Sequence, residues 1–257
     1  MKITKTKAVS NKPEVIIEGL KLTTLNANWE TYLKDAIQKK ISYSEFLINI
    51  LNVEYNFRSE QARASRLRRA NVSEKFVMST FPFEKQPTLK RKVVMEIFES
   101  RRYITEPESL IFIGPTGCGK TGLATSFLHD AVNAGYRGLF ISFQNLTRKL
   151  LEAVATHSEK KVLKYFTTWD ILVIDEFGYT PLGKEISGLF FEIIKERHGR
   201  KTNLFTTQLG FSEWQTFIPE SHMCSAILNR VTEKCCLFDM TKCISLRPRV
   251  ITYATVK

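Results

Sequence analysis

The apolar run Leu110 to Ile113 breaks into Gly114-Pro115-Thr116-Gly117-Cys118-Gly119-Lys120-Thr121-Gly122, and a helical pattern follows. No other stretch narrows the fold as much. It fits G-x-x-x-x-G-K-T, a loop that leaves a strand, wraps an anion with its backbone and opens a helix. The N–H groups of Gly117 to Thr121 then face the phosphates, and the helix N-terminus adds partial positive charge. On this reading Gly114 through Gly122 cradle a nucleoside triphosphate. Lys120 reaches its β- and γ-phosphates, and the Thr121 hydroxyl ligates Mg²⁺.

A second segment, TTWDILVIDEFGYTPL, supplies what such a loop lacks. Ile171 to Ile174 read as a buried strand whose end presents Asp175 and Glu176. The aspartate is placed to hold the magnesium shell. A glutamate directly after it accepts a proton from an attacking water, which suits a hydrolase and not a phosphate-transferring kinase. Other users of the loop fit less well. D-x-x-G occurs in DEFG, but no N-K-x-D follows to read guanine, and the one Asn-Lys pair, Asn11-Lys12, precedes the loop. There is neither an L-S-G-G-Q-type transporter signature nor an arginine-rich lid after residue 180, so the expected nucleotide is ATP.

Leu110 to Ile113, Gly138 to Phe143, Ile171 to Ile174 and Leu204 to Thr207 are short apolar runs separated by helix-length segments. That alternation predicts an α/β fold, a parallel sheet flanked by helices on both faces. The chain before it reads differently. Residues 1–18 are lysine-rich and form a flexible basic tail on this reading, and 19–75 form a small helical domain. Trp29, Tyr32, Leu33, Ala36 and Ile37 share one helix face, and Ser42-Tyr43-Ser44-Glu45 is a capping box before Phe46, Leu47, Ile50 and Leu51. These two helices are expected to pack together with their aromatics as core. Residues 76–109, with Phe81, Pro82, Phe83 and Pro87, read as a linker and leading helix, and 110–257 as the ATPase domain.

Charge adds a partner. Of the net +12, residues 58–102 carry twelve Lys or Arg against five Glu. Arg58, Arg63, Arg66, Arg68 and Arg69 fall on one predicted helix, with Arg58, Arg66 and Arg69 within roughly 80° of each other. A guanidinium stripe of this kind suits phosphates of duplex DNA, with affinity that falls as salt rises. Five cysteines without a C-x-x-C pair, and four scattered histidines, offer neither a disulfide framework nor a zinc site. No apolar run is long enough to span a bilayer, so no membrane partner is expected and the expected location is cytoplasmic.

Taken together, GPTGCGKT at 114–121, AGYRGLFIS at 134–142, DEFGYTPL at 175–182, FSEW at 211–214 and the ILNR stretch ending at Arg230 resemble the IstB family of transposition helper ATPases. These are AAA+ relatives of the DnaC-type helicase loaders. The resemblance extends over roughly residues 18–250 and includes SYSEFL at 42–47 and the arginine run. It implies a homo-oligomer that assembles on duplex DNA with ATP, remodels target DNA, recruits or stimulates a cognate transposase, and disassembles on hydrolysis. It also implies that Arg230 completes a neighbouring subunit's site as a finger on the γ-phosphate. Where family members carry Asn between Ser or Thr and Arg, this chain has Thr207-Gln208-Leu209. Gln208 keeps the amide that orients water, on a longer arm, so turnover is expected to be slow or differently gated, and weak without DNA and oligomerisation.

The 27 residues after Arg230 are too few for the full helical lid of many AAA+ proteins. The nucleotide site is therefore expected to depend on a neighbouring protomer, with Arg247 or Arg249 a substitute sensor. Two other functions remain open on these residues. One is loading of a replicative helicase, although the N-terminal region carries arginines where a loader needs a protein-binding surface. The other is a nucleotide-gated DNA scaffold with negligible ATPase activity.

Overall fold

The computed structural model describes residues 12–72, 76–86 and 88–247. They group into two compact units, residues 1–65 and 66–257. The first unit holds α1 (Pro13–Gly19), α2 (Thr23–Lys39) and most of the long α3 (Tyr43–Arg69), whose last residues belong to the second. The tail expected for 1–18 thus lies outside the described residues up to Asn11, and its remainder is helical from Pro13. Proline at the first helical position explains the start, since its fixed φ suits a helix and its missing N–H is not needed there. Ser42 caps α3 by accepting from the Glu45 N–H at 3.2 Å. The capping box and the arginine run, read as separate helical stretches, are one continuous helix.

An apolar core does not hold this unit. No residue of α2 is buried, and in α3 only Glu54 is. Leu33, Ile37, Leu47 and Leu51, expected inside, are exposed, while Trp29, Tyr32, Ala36, Phe46 and Ile50 are half-buried. The expectation of an aromatic core fails because so few helical residues cannot enclose a second layer. A polar clamp does the holding instead. The Glu54 carboxylate accepts from the Thr23 and Thr24 N–H groups at 3.3 and 3.1 Å, capping α2, and from Arg58 Nε at 2.9 Å. Arg58 in turn donates to the carbonyls of Leu20 and Lys21 at the end of α1, at 3.2 and 2.8 Å.

The second unit begins earlier than the composition suggests. Ala70 is fully buried, its carbonyl accepts from the Phe140 N–H at 2.7 Å, and Arg66 Nε donates to the Val132 carbonyl at 3.3 Å. The expected linker also belongs to this body. Two single 3₁₀ turns at Met78–Thr80 and Phe83–Lys85 precede α4 (Arg91–Ser100) and α5 (Arg102–Thr105), and Val94 and Tyr103 are buried in its core. Pro87 lies outside the described residues.

Five parallel strands follow: β1 (Ser109–Ile113), β2 (Gly138–Ser142), β3 (Ile171–Asp175), β4 (Thr202–Thr207) and β5 (Cys235–Asp239), in sheet order β2-β3-β4-β1-β5. Between them run α6 (Lys120–Asn133), α7 (Phe143–Ala155), α8 (Glu159–Thr168), α9 (Lys184–Arg197) and α10 (Ser221–Thr232). Alternate side chains of each central strand serve opposite faces, as the pleat requires. Ile111, Ile113, Leu172, Ile174 and Phe205 pack with α7 to α10, while Leu110, Phe112, Ile171, Val173 and Leu204 pack with α4 to α6. The α/β sandwich read from the sequence is the fold, with β5 as an added edge strand.

Buried Arg197 fixes the start of β4. It donates to Asn203 Oδ1 at 2.6 Å and to the carbonyls of Phe166, Trp169 and Thr202 at 2.9, 2.7 and 2.6 Å. Burial lowers the pKa of its guanidinium to about 9. No helix among the described residues is long and apolar enough to cross a membrane.

Candidate nucleotide site

The sheet order decides where chemistry gathers. β1 carries the glycine loop, β3 carries the acid pair, and β4 lies between them, paired with both. Whatever leaves the C-terminal end of β4 is therefore held between loop and acids, in the crevice where parallel sheets bind ligands. Gly117 and Gly119 take φ of +82° and +103°, the left-handed region that glycine enters without penalty and that lets the loop turn its N–H groups inward. The helix α6 begins directly at Lys120.

Lys120 is buried, and its Nζ donates to the carbonyls of Gly114 at 2.7 Å and Pro115 at 2.8 Å. Burial pushes its ammonium below the ordinary lysine range, and nearby Arg247 adds to this. The Thr121 hydroxyl donates to Asp175 Oδ1 at 2.9 Å, so one hydroxyl oxygen and one carboxylate meet where a hard divalent cation takes oxygen ligands. Glu176, the next residue, sits at φ +57°, a conformation that costs a non-glycine residue free energy and recurs at functional sites.

Thr206 was not singled out in the sequence, and it organises both acids. Its hydroxyl donates to Asp175 Oδ1 and accepts from the Glu176 N–H at 3.0 Å, while the Thr206 carbonyl accepts from the Phe177 N–H at 2.8 Å. Its neighbour Thr207 donates its hydroxyl to the Phe177 carbonyl at 2.8 Å. The available signal was a pair of hydroxyls at the end of an apolar strand, where Thr206 and Thr207 are fully buried. Gln208 comes next, and its amide Nε2 donates to the Thr116 hydroxyl of the glycine loop.

Lys120, Thr121, Asp175 and Glu176 border one cleft of about 710 Å³, joined by Gly117, Gly119, Gly122 and Arg247 and by an apolar wall of Phe76, Val77, Phe81 and Pro82. The Cys118 side chain is elsewhere: fully buried in the core beside Leu123 and Phe238, with burial raising its thiol pKa. Its contribution to the cradle is backbone.

Arg230 lies outside this cleft. It borders a separate one with Ser109, Asn203, His198 and Lys234, at the opposite ends of the strands, on the order of 15 Å away along five-residue strands. There its Cζ lies 4.8 Å from the Phe191 ring centre and its Nη1 donates to the Ala226 carbonyl at 2.9 Å.

The five arginines differ from one another. Arg58 serves the clamp on Glu54, and Arg63 pairs with Glu60 at 2.7 Å. Arg66 bonds the Val132 carbonyl, and Arg68 and Arg69 present exposed guanidinium groups with no hydrogen bond or ion pair to a described residue. Arg249 lies outside the described residues.

The profile of the IstB-like ATP binding protein family matches residues 16–250. A Pseudomonas aeruginosa protein named for insertion sequence IS21 and for ATP binding is 32% identical over 218 residues, covering 85% of this chain and 82% of its own length. A counterpart named for IS232 from Bacillus thuringiensis subsp. berliner is 29% identical over 215 residues, covering 84% and 86%. In fold, AMPPCP-bound DnaA from Aquifex aeolicus superposes with a TM-score of 0.55 at 17% identity, over 66% of this chain and 51% of that one. A glycine cradle, a paired acid and a family profile spanning nearly the whole chain lead to one assignment: the protein belongs to the IstB-like ATP-binding family, with a P-loop AAA+ fold.

Proposed function

We propose that this protein is an ATP-hydrolysing transposition helper that assembles as a homo-oligomer on duplex DNA. In this role it remodels target DNA and recruits or stimulates a cognate transposase, and hydrolysis releases the assembly. The observation that carries the enzymatic part is the juxtaposition of Glu176 with the Thr121–Asp175 pair, ordered by Thr206. The insertion-sequence names of its relatives support the biological part.

In this mechanism the loop N–H groups and Lys120 neutralise the triphosphate, giving up the Lys120 bonds to loop carbonyls for charge-assisted ones. Thr121 and Asp175 hold Mg²⁺, which fits their all-oxygen donor pair and supplies charge neutralisation at the phosphates. Glu176 accepts the proton of the attacking water, and the Gln208 amide orients that water or the γ-phosphate after leaving Thr116. Arg247 faces the phosphates from the same cleft as Lys120 and acts as the substitute sensor.

Arg230 acts on a neighbour. Its distance from its own protomer's cleft supports a role in trans, where a cation stabilises transition-state charge only in the assembly. Arg68 and Arg69 are the side chains most available to DNA phosphates, with Arg63 and Arg66 beside them. These contacts position the protein without reading bases.

The test is phosphate release with and without duplex DNA. DNA-stimulated turnover that disappears in Glu176→Gln, with ATP binding kept, supports the reading. A Glu176→Gln protein that turns over ATP like wild type contradicts it and favours the nucleotide-gated scaffold.

A further inference from the structure

The glycine loop has a frame behind it. A Cβ on Gly114 would lie 2.6 Å from the Met240 carbonyl oxygen; one on Gly117 would meet Ser245 Oγ and lie 3.3 Å from Arg247 Cγ; one on Gly119 would lie 3.2 Å from Leu246 Cδ1. These neighbours come from the segment 240–247 that follows β5, and Gly119 is faced besides by Phe81, whose Cε2 would lie 2.6 Å from its Cβ. Two hydrogen bonds join it to the loop backbone region: Met240 N–H to the Ile113 carbonyl at 2.7 Å, and Leu246 N–H to the Gly117 carbonyl at 2.8 Å.

Between loop and segment stands Gln86, fully buried. Its Nε2 donates to the Cys118 carbonyl at 3.0 Å and to the Ile244 carbonyl at 2.8 Å, and its Oε1 accepts from the Ile244 N–H at 2.9 Å. Both amide hydrogens are used, as a buried amide requires.

The consequence follows from peptide geometry. In a trans peptide the C=O and the next N–H point in opposite directions. Leu246 holds the Gly117 carbonyl outward, which aims the Cys118 N–H inward; Gln86 holds the Cys118 carbonyl outward, which aims the Gly119 N–H inward. Two consecutive phosphate-binding donors are thus oriented by groups that touch no phosphate themselves.

We propose that Gln86 is a positioning residue for triphosphate binding, and that through it the segment 240–247 responds to whether the glycine loop holds nucleotide. This inference rests on the ATP-binding reading of the loop. Phosphates pulling on the Cys118 and Gly119 N–H groups polarise the same peptides whose carbonyls grip Gln86 and Leu246, so occupancy tightens the segment.

The test uses the full-length protein and a non-hydrolysable ATP analogue, with site-resolved amide hydrogen exchange. In wild type the analogue slows exchange at Cys118 and Gly119 and also at Ile244 and Leu246. Gln86→Met keeps side-chain volume but removes both donors. It should bind the analogue about tenfold more weakly, a loss in the range of one buried hydrogen bond. At saturation it should keep protection at the loop and at Leu246, whose bond to the Gly117 carbonyl is untouched, and lose it at Ile244. A merely structural role would raise exchange by the same factor with and without nucleotide, so the analogue would still slow it at Ile244.

If Gln86→Met does not fold, Leu246→Pro, which deletes the other bond without touching the buried amide, carries the same expectation of tenfold weaker binding. Wild-type affinity in a folded variant, or nucleotide-dependent protection that persists at Ile244 in Gln86→Met, overturns the proposal. A wild-type protein that binds no analogue overturns the reading of the loop itself, and the proposal with it.

Discussion

The two units of this chain are held together by opposite means. In residues 66–257 a parallel sheet is buried on both faces, and its strand ends set a lysine, a threonine and two acids around one cleft. In residues 1–65 the described helices have almost no buried apolar surface, and Glu54 with Arg58 ties α1, α2 and α3 by polar bonds while Tyr43, Leu47, Leu51 and Tyr55 stay exposed. A packed core keeps catalytic groups rigid enough for chemistry. A thin polar clamp leaves a surface free to be completed by something else. On the proposed function, turnover belongs to the second unit and assembly on DNA draws on α3, a division that can be broken by substitution.

The largest expected effect is at Arg230. Arg230→Ala should lower DNA-stimulated hydrolysis by about 10³–10⁵-fold with nucleotide affinity unchanged. Mixing it with a Lys120→Ala protein, which supplies an intact arginine, should restore part of the rate; no restoration would place Arg230 outside any shared site. Next comes Glu176→Gln, expected to slow phosphate release by about 10²–10⁴-fold while the protein still assembles on DNA. Lys120→Ala should weaken ATP binding by about 10- to 100-fold, the worth of charge-assisted bonds to phosphate, as read by calorimetry.

Helix α3, which runs from the first unit into the second, should respond in kind but not in turnover. Replacing Arg68 and Arg69 together by Ala should reduce the slope of log affinity for duplex DNA against log salt by about 2 and leave thermal stability unchanged. Arg58→Ala should do the reverse, loosening α1 against α3 at a cost of about 1 kcal/mol with little change in salt slope.

The smallest effect concerns pH. Burial alone raises the Glu54 carboxyl pKa, and hydrogen bonds from Thr24 and Arg58 outweigh it, so the folded value is lowered. A depressed carboxylate contributes stability that is complete above its unfolded pKa of roughly 4.3 and is lost as pH falls through the folded value. Protection factors at the Thr23 and Thr24 amides, taken relative to the intrinsic exchange rate at each pH, should therefore fall below that point in wild type, and Glu54→Gln should flatten the dependence.

The sheet and the loop were legible because each obeys a local rule: apolar runs of strand length, and glycines that a phosphate cradle demands at fixed spacing. Asp175 and Glu176 were legible for the same reason, as the polar end of a buried run. Thr206 was not, since a threonine in a strand is ordinary until sheet order places β4 between β1 and β3. Gln86 was hidden too. Beside a lysine and a proline it reads as surface linker, and only a contact 158 residues away gives it a role. The helical unit misled in the other direction, because helix periodicity marks an apolar face without saying what covers it. Arg58 matched the phosphate stripe by angle, yet its guanidinium closes the clamp on the α1–α2 turn.

The central claim is that nucleotide in the glycine cradle builds an assembly on double-stranded DNA. Sedimentation velocity of the purified protein with a fixed-length duplex, with and without a non-hydrolysable ATP analogue, tests it most directly. The account predicts large DNA-bound particles that need the analogue and vanish in Lys120→Ala. Particles that form equally without nucleotide, or a protein that stays single and unbound at saturating analogue, would contradict it.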